Sequence, residues 1–88
     1  MSHCELWLEI KNHEKSFRVA LLVPDDTEVP SGYERCEGYN DPSEKKLYVT
    51  EWFVGIKPAK DKMDATAQFY TDNNVRFLFF REIRKPKC

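Results

Sequence analysis

The side chains of this chain that are best suited to chemistry are its thiols and imidazoles. Cys4 directly follows His3, His13 lies nearby, and Cys36 lies far along the chain. Zinc sites are usually built from close pairs of ligands such as Cys-x2-Cys, and the sequence contains no such pair. Adjacent residues of a strand point to opposite faces, so His3 and Cys4 would not share an ion easily. The sequence therefore predicts no metal site and no cofactor.

Cys36 is the candidate nucleophile, because it follows Arg35 and a neighbouring cation activates a thiol. Glu34 and Glu37 flank this pair and oppose the effect. The sequence offers no base to accept the proton of the thiol, and its glycines lie singly, so it has no glycine-rich elbow. We therefore expect a protein without enzymatic activity.

The cysteine count and the apolar runs bear on the compartment. Three cysteines at wide spacing are a poor framework for disulfide bonds, so we predict reduced thiols, as is usual in the cytoplasm. No apolar run approaches the ~18 residues of a membrane span. Residues 1–9 lack the basic and then apolar layout of a secretory signal. These features predict a cytoplasmic protein with no membrane partner.

Charge divides the chain into two unlike parts. Residues 1–56 hold 6 Lys or Arg and 11 Asp or Glu, whereas residues 57–88 hold 8 Lys or Arg and 4 Asp or Glu. The net charge of −1 conceals this difference. Such asymmetry affects which partners are attracted, and it does not determine the fold.

Residues 24–45, the acidic segment, form the first candidate binding site. This segment lacks periodicity and carries seven acids, and so long a connection is unusual in a small domain. Tyr and Arg are enriched at interface hot spots, and acidic groups steer a basic partner. The predicted contact residues are Tyr33, Arg35, Tyr39, Asp25, Asp26 and Glu28. The predicted partner is another protein that carries a basic patch.

Single-stranded nucleic acid is the alternative partner, because small β-barrels stack bases on aromatic rings within a basic groove. The basic candidates are Arg76, Arg81, Arg84, Lys85 and Lys87. The aromatic candidates are Trp7, Tyr48, Trp52, Tyr70, Phe77 and Phe79. Against this alternative, the isoelectric point of about 6.1 is low for a nucleic-acid-binding domain.

Alternating apolar residues predict four strands, at 4–11, 16–23, 46–56 and 75–83. The first two should form a hairpin. Residues 57–71 are ambiguous. A strand from 65 is favoured by its run of strand-forming residues, whereas a stripe of Ala59, Met63, Ala67 and Tyr70 would suit a helix at 58–70. One helical turn is expected within the acidic segment, where Ser31 and Glu34 have the spacing of a capping box.

The resulting fold prediction is mainly β, with about five antiparallel strands in a small barrel or curled sheet. An α+β fold with the helix at 58–70 is the alternative. The length is sufficient for a single domain, residues 1–88, which ends in a basic tail at 84–88. The residues expected in the core are Leu8, Val19, Leu21, Val49, Phe53, Phe77 and Phe79.

We therefore predict a small non-catalytic protein-binding module that acts as an adaptor or inhibitor. Antagonists of host factors encoded by viruses or phages are one class of such modules. The alternative is a β-barrel that binds single-stranded nucleic acid through its C-terminal strand and basic tail.

Overall fold

The computed structural model describes residues 3–11 and 15–88. Within these ranges the chain forms one helix and a sheet of six strands. In chain order the elements are β1 (Cys4–Lys11), β2 (Ser16–Val23), β3 (Glu34–Arg35), β4 (Lys46–Val49), β5 (Phe53–Val54), α1 (Ile56–Asp72) and β6 (Phe77–Arg84).

The first hairpin is confirmed with the predicted strand bounds. β1 and β2 pair antiparallel, with Leu6 opposite Leu21 and Glu9 opposite Arg18. Nearly every side chain of β2 is buried, because both faces of the sheet are covered at this point. His13 lies outside the described residues, so its candidacy as a metal ligand stays a prediction.

The sheet is mixed and open, with the strand order β3-β4-β2-β1-β6, and β5 pairs with the other end of β2. β6 runs parallel to β1, so the prediction that all strands are antiparallel is wrong. The reason is that a parallel return needs a long crossover, which α1 supplies. The predicted barrel is not formed, and β6 occupies one edge of the sheet.

Residues 57–71 are helical, so the favoured strand prediction is wrong and the helix of the alternative is confirmed with wider bounds, Ile56–Asp72. The buried residues of α1 include Ala59, Ala67 and Tyr70, which are three of the four residues in the predicted stripe. Burying this stripe against the sheet stabilises the helix more than the local preference of its Thr, Phe and Tyr residues for strands.

The predicted strand at 46–56 is divided into β4 and β5, so that prediction is wrong in its bounds. Both short strands pair with β2. Between them, the Thr50 hydroxyl accepts the Val19 N–H at 3.0 Å, and the Thr50 N–H donates to the Val19 carbonyl at 3.0 Å. A side chain thus takes the place of the backbone ladder where the strand is interrupted.

The acidic segment contains no helical turn, because part of it, β3, pairs with β4. Cys36 follows β3, is buried, and forms a disulfide bond with Cys88. The prediction of reduced thiols is therefore wrong for these two residues. Their separation of 52 residues hides the pairing from sequence inspection. Cys4 is a free, buried cysteine.

Two apolar clusters cover the two faces of the sheet. The first lies under α1, and the second surrounds Trp7 and Leu47 beneath the acidic segment. Of the predicted core, Leu8, Val19 and Leu21 are buried, whereas Val49, Phe53 and Phe77 are half-buried. Phe79 is 43% exposed, so its assignment to the core is wrong. It lies on the edge strand β6, beyond the part of the sheet that α1 covers.

Candidate functional site

Three of the four exposed large apolar side chains among the described residues lie on β6. α1 packs chiefly on β2, β1 and β5, and most side chains of β6 remain exposed. Phe79 and Ile83 are each 43% exposed, and Leu78 on the opposite face is 46% exposed. Large apolar side chains concentrated on one strand, rather than scattered singly, are typical of an interaction surface.

Two adjoining clefts separate α1 from β6, with volumes of about 350 and 280 Å³. We name them together the α1–β6 groove, and the residues that line it include Lys60, Met63, Asp64, Phe79, Phe80, Arg81 and Ile83. A third cleft of about 440 Å³ lies along the same strand beside Phe77 and Arg76. The three clefts together follow β6 along its length.

The backbone of β6 has a ladder partner on one side. It pairs with β1 and ends the strand order among the described residues. Its pairing is irregular, because Leu6 lies opposite Phe79 whereas Leu8 lies opposite Ile83. An edge strand with exposed apolar side chains can accept a strand from another chain.

The α1–β6 groove carries a positive charge. Lys60 and Arg81 line both of its clefts, whereas Asp64 lines one of them. Arg76 adds a cation at the third cleft. Within the described part of the chain, none of these three basic residues has an acidic partner in an ion pair. This groove therefore combines apolar walls with unpaired cations.

The predicted contact residues of the acidic segment do not form one patch. Tyr33 packs against the cluster under α1, and Tyr39 packs against the cluster on the opposite face. Arg35 is exposed on β3. Asp25, Asp26 and Glu28 are exposed as expected. Their binding role stays a prediction.

Tyr33 anchors the acidic segment to α1. Its hydroxyl forms a hydrogen bond with the Thr66 hydroxyl at 2.6 Å, and Lys62 Nζ lies 5.1 Å from the centroid of its ring. Lys62 also donates to the Ser31 carbonyl at 2.7 Å. Burial raises the pKa of Tyr33 to about 12. Tyr33 is thus engaged within the fold.

The hydroxyl of Tyr39 donates to Asp41 at 3.3 Å, and burial is the first cause of the raised pKa of Tyr39.

The aromatic and basic residues of the nucleic-acid alternative are dispersed. Trp7 and Tyr70 are buried. The guanidinium of Arg84 lies 5.0 Å from the Trp7 centroid, and Lys87 Nζ lies 5.7 Å from it. Tyr48, Trp52 and Phe77 are half-buried, while Phe79 is exposed. Of the basic candidates, Arg76 and Arg81 line the clefts, and Lys85 is exposed.

The Glu9 carboxylate, which the sequence analysis did not select, makes hydrogen bonds on the face of the sheet that carries the Trp7 cluster. Glu9 is fully buried and accepts from Trp7 Nε1 at 3.0 Å, from Arg18 Nε at 2.8 Å and from the Lys87 backbone N–H at 3.3 Å. The Glu9–Arg18 pair could have been predicted from the hairpin, because the register of the hairpin places these residues opposite each other. These contacts hold residues 85–88, the C-terminal tail, across the sheet.

The remaining candidates for chemistry within the described residues are the Cys4 thiol and side chains that could bind a metal ion. Burial raises the pKa of the Cys4 thiol to about 11, so this thiol is protonated at neutral pH and is a poor nucleophile. Within residues 3–11 and 15–88, no three His, Cys, Asp or Glu side chains lie close enough to hold a metal ion.

Comparison with protein-family models, with curated proteins and with solved structures found no match. In the described part of the chain, α1 is neither long nor apolar enough to cross a membrane.

Proposed function

We propose that this chain is a small non-catalytic module that binds another protein, as an adaptor or inhibitor, through β6 and the α1–β6 groove. The observation that carries this proposal is the exposure of Leu78, Phe79 and Ile83 on an edge strand beside apolar clefts. Exposed apolar area on an edge strand favours association, so a protein surface that covers it would stabilise both partners.

The clefts themselves favour a macromolecule over a small substrate. Pockets for small molecules usually enclose about 300–1,000 Å³ and converge on a few polar groups. The clefts of about 440 and 350 Å³ lie in the lower part of that range, the cleft of about 280 Å³ lies below it, and all three open along a strand. They suit individual side chains of a partner better than a substrate that must be surrounded.

Single-stranded nucleic acid is the second candidate, because Phe79 is exposed and Arg76 and Arg81 line neighbouring clefts. Two of the rings that would stack bases, Trp7 and Tyr70, are buried. A row of stacked bases needs several exposed rings, so the available surface supports a protein partner better.

The compartment also stays a proposal. The prediction of a cytoplasmic protein rests partly on cysteines expected to be reduced, and the Cys36–Cys88 disulfide removes that part of the argument. Such bonds persist where thiols are oxidised, as in extracytoplasmic spaces.

The test is affinity capture from the producing cells with the double variant Phe79→Ser and Ile83→Ser. Val54→Ser is the matched control, because Val54 is 87% exposed but lies on β5. We expect wild type and control to recover the same protein, and the double variant to recover at least tenfold less of it. Hot-spot truncations commonly cost this much affinity.

Two results would overturn the proposal. One is equal recovery of every captured protein by all three chains. The other is a captured species that nuclease treatment removes, which would favour the nucleic-acid alternative. Equal melting temperatures of the three chains are required as a control for folding.

A further inference from the structure

We infer that the partner contributes an extended segment that joins the sheet as a further strand beside β6, with an acidic side chain between two apolar ones. This inference rests on the proposed function and specifies the chemistry of the partner. The geometry of β6, the spacing of the clefts and the charge of the groove each support it.

β6 supplies the edge for strand addition. It spans eight residues that lie opposite Cys4–Glu9 of β1 with one register shift, so its free edge is at most about 26 Å long at ~3.3 Å per residue. Its neighbour on the other side is β1. A partner strand would gain backbone hydrogen bonds along this edge, and its alternate side chains would point toward α1.

The side chains of β6 that line the groove specify the pattern of the partner. Phe79, Arg81 and Ile83 are every second residue of β6, and all three line the α1–β6 groove together with Phe80. The pairing with β1 shifts between Phe79 and Ile83, so this stretch of β6 is bulged. Phe79 and Ile83 are apolar and partly exposed, with the cation of Arg81 between them. A paired strand places its own side chains opposite these, with successive ones on the same face about 7 Å apart. The complementary order is apolar, acidic and apolar at every second residue.

The positive charge along β6 favours an acidic partner segment over a second copy of this chain. Residues 75–85 carry Arg76, Arg81, Arg84 and Lys85 against Glu82, so this stretch has a net charge of about +3. Two copies paired through β6 would bring these like charges together, which is unfavourable. An acidic segment would neutralise Lys60 and Arg81, which have no ion-pair partner among the described residues.

The test is selection of displayed random eight-residue peptides on the wild-type protein. We expect enrichment of peptides in which Asp or Glu lies two residues from an apolar residue on each side. The enriched peptides should bind the Arg81→Glu variant at least tenfold more weakly, and a Lys substituted for the acidic residue of the peptide should restore binding to that variant. Lys15→Glu is the matched control, because Lys15 is exposed directly before β2, which β1 separates from β6, and it should not alter binding.

Hydrogen exchange supplies the structural readout. A selected peptide should slow the exchange of backbone amides within β6, while amides of β3 at the opposite edge should be unchanged. Enriched peptides that lack acidic residues, bind Arg81→Glu equally, or leave β6 exchange unchanged would each overturn the inference. Sedimentation that shows a dimer with protected β6 amides would do the same and favour a second copy. Tighter binding of an oligonucleotide than of any peptide would also overturn it.

The failure of this inference is distinguishable from failure of the proposed function. A protein whose capture depends on Phe79 and Ile83 would retain the proposed function even if no acidic peptide were selected. Loss of both results would remove the function and the inference together.

Discussion

Glu9 and Arg18 form a buried ion pair on the face of the sheet that carries the Trp7 cluster. Both side chains are almost fully buried, and Arg18 also lies over the Trp52 ring, with its guanidinium 4.3 Å from the ring centroid. Arg18 Nη2 is buried without a hydrogen-bond partner in the described residues. A buried pair of this kind is costly to break, because the remaining charge is left without compensation.

We therefore expect Glu9→Ala to lower the free energy of unfolding by about 3–5 kcal/mol, since it isolates the Arg18 guanidinium and frees the Lys87 backbone N–H. Urea denaturation measures this change. Glu5→Ala is the matched control, because Glu5 is on the same strand and pairs with Lys45 but is more exposed. A loss for Glu9→Ala no larger than that for Glu5→Ala would contradict the role of this carboxylate.

At the residue scale, the sequence predicts which side chains are buried where the alternation of apolar residues along a strand decides their burial. Leu8, Val19 and Leu21 alternate within the first hairpin and are buried as predicted. Phe79 has the same kind of pattern and is exposed. The difference is that α1 covers β1 and β2 but not this part of β6. The sequence of a strand does not show whether a helix will cover it.

At the scale of the elements, the β1–β2 hairpin could be predicted because its contacts are local. The segment that became α1 could not be assigned, because its strand-forming residues and its apolar stripe favour different structures. The apolar stripe of α1 is buried when the helix packs on β1 and β2. The parallel return of β6 and the Cys36–Cys88 pairing depend on contacts distant in sequence. The sequence therefore pointed to the C-terminal strand only as a nucleic-acid surface, and it did not reveal the groove that this strand forms with α1.

The C-terminal tail is held to the sheet by the Cys36–Cys88 disulfide, and this gives a prediction about an element. A disulfide between residues this far apart removes conformational freedom from the unfolded chain, for which the chain-entropy relation gives about 4 kcal/mol. We expect the double variant Cys36→Ser and Cys88→Ser to lose about 2–4 kcal/mol of the free energy of unfolding, as measured in urea.

Reductant provides the matched control for this prediction. It should lower the urea midpoint of the wild type and leave that of the double variant unchanged. Trp7 fluorescence should shift to longer wavelength in the variant, because the Arg84 and Lys87 side chains that cover this ring are no longer tethered nearby. A wild type whose midpoint is insensitive to reductant would show that the bond contributes nothing to stability.

At the scale of the whole molecule, the charge difference between the two parts of the sequence corresponds to different surfaces. Asp25, Asp26 and Glu28 are exposed in the acidic segment. Lys60 and Arg81 line the groove beside β6. The two surfaces would attract partners of opposite charge, and electrostatic attraction acts mainly on the association rate. The sign of a rate change therefore identifies the surface that meets the partner.

We expect replacement of Asp25, Asp26 and Glu28 by Lys to speed association with an acidic segment that binds β6, because it raises the net charge of the protein by six units. The increase should be severalfold at low salt and should diminish as salt screens the charges. Stopped-flow mixing with a selected peptide or the captured partner measures it. Stability should change little, since these side chains are exposed and Asp25 has one surface ion pair, with Lys46 at 3.4 Å. Slower association would instead place a basic partner patch on the acidic segment, as the sequence alone predicts, and would exclude a simple acidic ligand at β6.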